Sequence, residues 1–460
     1  MNRNLILQCD SYKLSHFLQY PPRTTGYFGY IEARGNDAGI KDTMFFGLQM
    51  FIKEYLLTPF TQENIEEAAE FAKNHGEPFN REGWQYILDT YRGFIPVTIK
   101  AVPEGSIIPL SNVLCTVECT DPKCFWVGSY IETMLLRAVW YPTTVATNSR
   151  ECKKVIWEYL TKTSDAPEAG INFKLHDFGA RGVSSSESAQ IGGAAHIANF
   201  MGSDTVEGVR AMNFYYNGML MSAFSIPAAE HSTITSWGPN AEDEIAAYRN
   251  MVAQYGGEGK IFACVSDSTD IYRACEWWGT VLKDDVVNSK ALLVVRPDSG
   301  DPTTVVRQCI EILGQNFGFT TNSKGFRVLN NVRVIQGDGI NRNSIQSILS
   351  NLYINGWSAD NIAFGMGAKL LSSPQRDDFQ FAMKCSAIRV NDEWRDVFKA
   401  PVTDAGKTSK KGRLTLVEGN KTVRIEEVDN NEIMREVYKN GILLINDDLA
   451  SIRKRANEGF

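Results

Sequence analysis

Several features that would assign the chain to a common structural class are missing from its sequence. Its 460 residues contain nine scattered cysteines and no Cys-x-x-Cys pair, which argues against a disulfide framework. The nearest grouping, Cys115, Cys119 and Cys124, has no histidine close by to complete a zinc site, so a strand with small buried thiols is favoured. Reduced cysteines of this kind are typical of a cytoplasmic protein.

The sequence also lacks a long apolar run and an excess of positive charge. One uncharged stretch, residues 211–229, contains two asparagines, a glycine and a proline, so it is not a plausible membrane span. The net charge of −7 argues against a surface that binds nucleic acid as a whole. An anionic substrate would need a few placed cations. Residues 407–413 carry four, either as a solvated loop or as a clamp on polyphosphate.

The standard nucleotide-binding fingerprints are absent as well. The sequence has neither G-x-G-x-x-G nor G-x-x-x-x-G-K-[ST], which leaves no Rossmann fingerprint and no Walker loop. Residues 336–339, Gln-Gly-Asp-Gly, could offer backbone amides to a phosphate or form a tight turn with a capping aspartate. Gly365 and Gly367 form a lone Gly-x-Gly, which is a weak signal by itself.

From about residue 170 the sequence alternates short apolar runs with polar or glycine-rich turns and amphipathic helices. Helices are predicted near 184–200, 270–282, 303–314 and 342–353, each after one of these runs. Strand, turn and helix in this repeated order indicate parallel strands with crossover helices. The first 150 residues mix helical with turn-punctuated, β-rich segments, and the pattern returns after about residue 385.

Side chains able to bind or react fall at the same place in each repeat, just after the strand. A barrel brings the C-terminal ends of its strands onto one rim, whereas an open sheet gathers them in a crevice. Six or seven such turns favour the barrel. We predict an α/β fold with a barrel over residues 161–385 and a second α+β domain, made of residues 1–160 and a C-terminal segment, 386–460, that packs with them. The predicted rim residues are His176, Asp177, Arg181, Asp204, His231, Asp267, Arg296, Asp298, Gln336, Gly337, Asp338, Gly365 and Gly367.

Some of these turns allow both a structural and a functional interpretation. Arg296 and Asp298 could simply precede a helix that starts with proline, or Arg296 could face an anionic or π-rich group while Asp298 accepts hydrogen bonds from a sugar. Phe178, beside a glycine at a polar rim, would offer a stacking face to a planar ring. Ser184 is predicted to cap the next helix, with Glu187 completing the capping box.

Histidine is scarce, and one of the five lies in a setting suited to catalysis. The stretch SIPAAEHSTITSWG, residues 225–238, places His231 after Glu230 and ahead of three hydroxyl side chains. Imidazole is a good nucleophile and is half-titrated near neutral pH, so His231 could be reactive. The alternative is a histidine that is merely hydrogen-bonded at a helix start.

A set of longer motifs runs through nearly all of the chain in one order: DSYKLSHFLQYPP, FFGLQMFIKEYL, HDFGARGVSS, GSDTVEGV, IPAAEHSTITSWG, VSDSTDIY, RPDSGDP, RVIQGDGI, NIAFGMG, VFKAPV and SKKGRL. With these motifs the chain resembles the nicotinamide phosphoribosyltransferase family of type II phosphoribosyltransferases. The resemblance implies an irregular (β/α) barrel with a second domain, and a homodimer with two active sites at its interface.

The resemblance also implies roles for the matching residues. The nicotinamide ring would lie between Phe178 and Tyr12, with Tyr12 supplied by the other subunit. Asp204 would accept a hydrogen bond from the carboxamide, and Arg181 and Arg296 would line the same pocket. The other matches are Asp298 for the ribose hydroxyls, Gly337, Asp338 and Gly367 for the ribose 5-phosphate region, and Arg34, Arg376, Lys384 and Lys399 for the pyrophosphate and nucleotide phosphates.

The implied reaction transfers phosphoribosyl from phosphoribosyl pyrophosphate to nicotinamide, giving nicotinamide mononucleotide for NAD salvage. The sugar would pass through an oxocarbenium-like state beside Asp298 and Asp338, while Mg²⁺, bound through the substrate pyrophosphate, and basic side chains stabilise the leaving group. His231 matches the histidine that ATP phosphorylates, and Asp267 would hold its other ring nitrogen. Mg²⁺ and ATP are therefore expected, and no nucleic-acid or membrane partner is.

Asp204 bears on the choice of acceptor. Neutral nicotinamide donates two N–H bonds that a carboxylate can accept, whereas nicotinic acid would set one carboxylate against another, at a cost on the order of 1–3 kcal/mol. The alternatives left open are a nicotinate phosphoribosyltransferase and a non-catalytic dimeric binding protein. Where the family usually has Gly-Ser-Gly-Gly, residues 365–369 read Gly-Met-Gly-Ala-Lys, and Lys369 could compensate for the lost backbone approach.

Overall fold

The computed structural model describes residues 4–403 and 408–460 of the chain, which form two compact units. The described residues of the first unit lie within Met1–Thr147, Phe214–Gly218 and Pro374–Gly459. Those of the second lie within Asn148–Asn213 and Met219–Ser373, with Phe460. The boundaries therefore fall at residues 147 and 374, where the sequence indicates 160 and 385. The first lies inside one long helix, so no turn in the sequence marks it.

Most strands of the two units are short. In chain order they are β1 Thr24–Glu32, β2 Asp42–Met44, β3 Val97–Ala101, β4 Ile107–Pro109, β5 Val113–Cys119, β6 Leu175–Asp177, β7 Gly202–Ser203, β8 Ile261–Val265, β9 Leu292–Arg296, β10 Phe319–Thr321, β11 Arg327–Leu329, β12 Val332–Gln336, β13 Ile362–Met366, β14 Ala382–Val390, β15 Glu393–Asp396, β16 Leu414–Val417, β17 Lys421–Arg424, β18 Arg435–Lys439 and β19 Ile442–Leu443.

The helices range from single turns to one helix that extends from the first unit into the second. They are α1 Leu48–Phe51, α2 Gln62–His75, α3 Arg81–Tyr91, α4 Val127–Tyr130, α5 Glu132–Thr163, α6 Pro167–Gly170, α7 Ser186–Ile197, α8 Val206–Tyr216, α9 His231–Thr235, α10 Ala241–Tyr255, α11 Ile271–Gly279, α12 Lys283–Ser289, α13 Pro302–Phe317, α14 Arg342–Ile354, α15 Ala368–Leu371 and α16 Leu449–Ala456. None of them has both the length and the apolar character that crossing a membrane requires, as far as the described residues go.

The first unit is built on a seven-stranded antiparallel sheet in the order β15-β14-β1-β5-β3-β18-β19. Its inner strand β1 carries Tyr27, Phe28, Tyr30 and Ile31, all of which are almost fully buried. Because successive strand residues point to opposite faces, both faces of the sheet are covered. Three N-terminal strands, β1, β5 and β3, lie in the middle of this sheet with two C-terminal strands on each side, so neither part of the chain forms it alone.

The second unit is built on a six-stranded parallel sheet in the order β7-β6-β13-β12-β9-β8. Helices α7, α11, α13 and α14 follow its strands at the positions that the sequence predicts. Residues 224–228 form parallel bridges to both edges, from Phe224 to Gly202 and from Ala228 to Ala263. This irregular stretch joins the two sheet edges, and the predicted α/β fold with an irregular barrel is confirmed.

Candidate active site

The predicted site residues of the second unit lie on one rim of its parallel sheet. β6 ends just before Phe178, and β7 ends just before Asp204. Because these strands are parallel, their C-terminal ends open onto the same side of the sheet. On the same rim, β8 leads to Asp267, β9 to Arg296 and Asp298, β12 to Gly337 and Asp338, and β13 to Gly367.

His231 follows the stretch that joins the sheet edges and pairs with Asp267 across the rim. Its Nε2 lies 2.9 Å from Oδ1 of Asp267. The side chain of Asp267 is 4% exposed and that of His231 47% exposed. An ionised carboxylate only accepts hydrogen bonds, so Nε2 carries the hydrogen and Nδ1 is the basic nitrogen. His231 is also the first residue of α9, so both predicted interpretations of this histidine fit the geometry.

The same carboxylate reaches the turn after β9. Oδ2 of Asp267 accepts hydrogen bonds from the backbone N–H of Asp298 at 3.1 Å and from the hydroxyl of Ser299 at 2.6 Å. Asp298 in turn accepts from Nη2 of Arg296 at 2.8 Å. Five residues from three separate stretches of sequence, with His231 included, therefore form one hydrogen-bonded network. Sequence reasoning missed Ser299, although it follows Asp298 directly in the motif RPDSGDP.

Phe178 lies beside this network. The guanidinium carbon of Arg296 is 5.7 Å from the centroid of its ring. A Cβ added to Gly365 would collide with the ring, and one added to Gly337 would lie 3.4 Å from it and 3.3 Å from Nε of Arg296. Glycine at these two strand ends thus makes room for the aromatic ring, and the ring is held between them and Arg296.

Asp204 is joined to both neighbouring segments of the rim. Its backbone N–H donates to the carbonyl of Asp177 at 2.9 Å, one residue before Phe178. Its Oδ1 accepts a 2.5 Å hydrogen bond from the hydroxyl of Ser225. The carboxylate is therefore fixed next to the aromatic residue, with one oxygen engaged. Ser225 was not singled out from the sequence, because a serine in a loop carries no signal without its partner.

Asp177, the last residue of β6 and the neighbour of Phe178, is a buried acid. Its side chain has no exposed surface, and its Oδ1 accepts a 2.7 Å hydrogen bond from the backbone of Gly179. Burial raises its pKa from an ordinary 3.8 to about 6, a shift that the hydrogen bond from Gly179 partly opposes. The folded protein therefore disfavours the ionised form relative to the unfolded chain, although that form predominates above about pH 6.

Replacing Asp177 by asparagine is accordingly expected to raise stability by about 2 kcal/mol at pH 8. The raised pKa favours the folded wild type below the ordinary value of 3.8, and this contribution is lost as pH rises through about 6. The gain from the D177N substitution should therefore shrink as pH falls through 6. Urea unfolding at several pH values measures it, with the exposed Asp284→Asn variant as control. A D177N protein less stable than wild type at pH 8 would contradict this account.

The turn after β12 carries the predicted phosphate-binding residues Gly337 and Asp338. Gln336 is fully buried and donates from Nε2 to the carbonyl of Asp338 at 2.9 Å. Gly339 has a φ of +68°, a conformation that favours glycine. The side chains of Asp338 and Arg181 are exposed, and neither they nor Gly367 join the hydrogen-bonded network around Asp267. Their roles remain predictions.

One local prediction on the rim is wrong. Helix α7 begins at Ser186, and its N-cap is Ser185, whose Oγ accepts from the backbone N–H of Ser188 at 3.1 Å. Ser184, predicted as the cap with Glu187, lies one residue too early. Ser185 has the extended backbone that an N-cap requires, with φ of −153° and ψ of 153°. Because three serines follow one another here, the sequence alone does not show which of them is the N-cap.

The predicted phosphate-binding cations belong to the first unit. Arg34 donates from Nε to Glu32 at 3.0 Å, and Lys410 pairs with the other oxygen of the same buried carboxylate. Burial lowers the pKa of Lys384, and the positive charges of Arg34, Lys399 and Lys13 lower it further, against an opposing effect of Glu132. A concentration of positive charge therefore surrounds Lys384, although Glu32 neutralises part of it.

The other predicted residues of the first unit lie nearer to solvent. Tyr12 is 53% exposed, with Nζ of Lys13 5.2 Å from its ring centroid. Arg376 is exposed and donates to Asp377 at 2.9 Å, and Lys399 is exposed as well. Of the run 407–413, Lys407 lies outside the described residues. Lys410, Lys411 and Arg413 contact Glu32, the ring of Phe398, and Glu118 with Glu426, respectively.

Comparison with known proteins gives two family matches and several full-length relatives. Residues 173–442 match the nicotinate phosphoribosyltransferase family, and residues 4–99 match the nicotinamide phosphoribosyltransferase N-terminal domain. A nicotinamide phosphoribosyltransferase from Xanthomonas campestris is 51% identical, over 99% of this chain and 98% of its own length. One from Acinetobacter baylyi is 30% identical, over 97% and 95%.

Solved structures resemble the fold at low sequence identity. Nicotinate-nucleotide pyrophosphorylase from Pyrococcus furiosus superposes with a TM-score of 0.66 at 15% identity, covering 100% of this chain and 96% of that one. Human nicotinic acid phosphoribosyltransferase gives a TM-score of 0.58 at 15% identity, covering 97% and 92%. At this identity the likeness establishes the fold alone.

Proposed function

The chain belongs to the nicotinate phosphoribosyltransferase family and carries the N-terminal domain of the nicotinamide phosphoribosyltransferases, and on that premise we propose how it acts. It is a pentosyltransferase that transfers phosphoribosyl from phosphoribosyl pyrophosphate to nicotinamide, giving nicotinamide mononucleotide and pyrophosphate for NAD biosynthesis. The proposal rests on the arrangement of the rim. Arg296 lies against the ring of Phe178 and donates to Asp298. The backbone of Asp204 is hydrogen-bonded to Asp177, the residue before Phe178.

Nicotinamide binds, in this proposal, on the face of Phe178. The ring stacks on the phenyl group, and the carboxamide donates to the Asp204 oxygen that Ser225 leaves available. Arg296 lies against the same phenyl ring and is oriented by Asp298. Stacking and one amide hydrogen bond together fix the direction of the ring nitrogen, and such positioning lowers the barrier to attack.

Transfer then depends on opposite charges on the two sides of the breaking bond. The bond from the sugar to pyrophosphate opens before the ring nitrogen arrives, so positive charge develops on the sugar, where Asp298 and Asp338 would stabilise it. The cations around Lys384 would bind the departing pyrophosphate. Mg²⁺ bound to pyrophosphate would supply further positive charge there. In this proposal Mg²⁺ arrives bound to the substrate pyrophosphate.

ATP acts in this proposal through His231. The basic Nδ1 attacks the γ-phosphorus, a nitrogen–phosphorus bond forms, the bond to the bridging oxygen breaks, and ADP leaves. Nε2 keeps its hydrogen and donates it to Asp267, whose negative charge stabilises the positive ring of the phosphohistidine. No proton has to move in this step. The nearly buried Asp267 and the half-exposed His231 suit these two roles.

We further propose that the enzyme is a cytoplasmic homodimer and that Tyr12 of one subunit completes the acceptor pocket of the other. Three consecutive apolar side chains, Met219, Leu220 and Met221, are largely exposed on the second unit, as residues of an interface would be in a single chain. Tyr12 is exposed as well. The nine free cysteines favour a reducing compartment.

Mixing two inactive variants tests the shared site. Tyr12→Ala and Asp298→Ala would each disable both sites of their own homodimer. Random exchange of subunits should restore about a quarter of wild-type activity, since half of the dimers become mixed and each mixed dimer has one intact site. The assay follows mononucleotide formation after denaturation and joint refolding. No recovery, with dimers present in solution, would contradict a site shared between subunits.

A direct assay tests the proposed reaction. Purified protein with Mg²⁺ and phosphoribosyl pyrophosphate is given nicotinamide or nicotinate, and both mononucleotides are separated and quantified. Faster formation of nicotinamide mononucleotide supports the proposal. Faster turnover of nicotinate would show that the enzyme is a nicotinate phosphoribosyltransferase. If neither mononucleotide forms, the result would point to the non-catalytic binding protein.

A further inference from the structure

We infer that Ser299 is a positioning residue through which the state of His231 is communicated to the acceptor pocket. The inference rests on the proposed ATP step. The hydroxyl of Ser299 donates to Oδ2 of Asp267 at 2.6 Å. Its partner is the same carboxylate that bonds the ring of His231.

The two oxygens of Asp267 serve two different segments. Oδ1 bonds His231, which follows the stretch 224–228, whereas Oδ2 bonds only the turn after β9, through Asp298 N–H and the Ser299 hydroxyl. Because both oxygens belong to one rigid planar group, a change in the direction of the His231 bond must change the direction of the other two. Asp267 therefore connects the histidine to that turn mechanically as well as electrostatically.

The turn after β9 is anchored on one side only, so it can transmit such a displacement. Gly300 has a φ of +83°, and Asp301 then caps α13 by accepting from the backbone N–H of Thr304 at 2.9 Å. The far side of the turn is thus anchored to a helix of 16 residues. The part free to respond is the short stretch that holds Asp298 and Ser299, and Asp298 orients Arg296 against Phe178.

A continuous chain of direct contacts results, from His231 through Asp267 and the 298–299 turn to Arg296 and Phe178. When phosphorylation places a positive charge on the His231 ring, its hydrogen bond to Asp267 becomes charge-assisted and stronger. Asp267 is then drawn toward His231, and the Ser299 hydroxyl keeps the turn attached to it. The proposal assigns to Ser299 the coupling of phosphorylation to acceptor binding, because Asp298 N–H alone is the longer and weaker of the two links.

The test compares Ser299→Ala with the conservative Ser299→Thr and with Ser323→Ala. Ser323 is a matched control, since its hydroxyl donates to the carboxylate of Asp165 over the same 2.6 Å, away from the rim in the same unit. We expect S299A to reduce the effect of ATP on the KM for nicotinamide on the order of tenfold, the loss typical of one hydrogen bond to a charged group. S299T and S323A should keep the wild-type response. Labelling of His231 by γ-labelled ATP should persist in all three variants.

Two results would overturn the inference while leaving the proposed transfer reaction intact. One is an S299A enzyme whose KM for nicotinamide responds to ATP as the wild type does. The other is loss of the phosphohistidine label in S299A, which would place Ser299 in phosphorylation rather than in coupling. A wild-type enzyme that forms nicotinamide mononucleotide but takes no label from ATP would refute both the ATP step and the coupling. Failure of the wild type to form any mononucleotide would refute the proposed function itself.

Discussion

Replacing Asp204 by asparagine is expected to abolish the preference for nicotinamide over nicotinate, a change of roughly tenfold to a hundredfold in the ratio of kcat/KM values. In the proposed site, the carboxylate would repel the negative charge of nicotinate and accept a hydrogen bond from the amide of nicotinamide. Asparagine keeps the shape and can still accept from Ser225, but it removes the repulsion. Steady-state kinetics with both acceptors, at saturating phosphoribosyl pyrophosphate, measure the effect.

The control for this substitution is Asp284→Asn, which changes the same charge at an exposed position of α12 in the same unit. It should leave the ratio of the two acceptors unchanged. The D204N enzyme should also lose more for nicotinamide in KM than in kcat, because the amide bond forms on binding. An unaltered preference in folded D204N protein would show that acceptor choice is made elsewhere on the rim.

Replacing His231 by asparagine is expected to abolish both the ATP-derived label on the protein and any stimulation of turnover by ATP. Asparagine can still donate to Asp267, so the network around that carboxylate is retained, but it has no nucleophilic ring nitrogen. The label is measured after acid and alkaline treatment, because a phosphohistidine is lost in acid and survives in alkali. ATP hydrolysis in the presence of both other substrates gives the second readout.

His75→Asn provides the matched control, since His75 is an exposed histidine at the end of α2 whose ring stacks on Phe71. It should keep the label and the stimulation. Persistence of an acid-labile label in the His231→Asn protein would move the phosphorylated group to another side chain. Loss of the label without any loss of stimulation would separate ATP binding from phosphorylation.

The strand-end rim could be predicted from the sequence because it depends on local pattern. Each apolar run of the second unit is followed by a turn with functional side chains, and parallel strands place such turns on one side. Helix bounds were less certain, as Ser184 and Ser185 show, since the cap is decided by backbone conformation and by its bond to Ser188. The unit boundary inside α5 could not be read at all, because a continuous helix has no turn to mark it.

The individual side chains of the site were predictable only where residue type limits the chemistry. The family resemblance suggested the pair of His231 and Asp267, which lie 36 residues apart in sequence, and their 2.9 Å contact agrees with it. The roles of Ser225 and Ser299 could not be predicted from the sequence, because each depends on a carboxylate that only the fold brings next to the hydroxyl. The pairing of Lys410 with Glu32 was likewise hidden, since these two residues are far apart in sequence, whereas Arg34 lies only two residues from the same acid.

The irregular stretch at residues 224–228 is only weakly paired with the rest of the barrel. It holds each neighbouring edge by a single bridge, whereas β8 and β9 share five paired positions. Ser225 lies within this stretch and His231 three residues beyond it, so the proposed acceptor choice and the proposed phosphorylation would both depend on the same weakly paired piece of backbone. A substitution that weakens this pairing is therefore expected to change both of the proposed functions together.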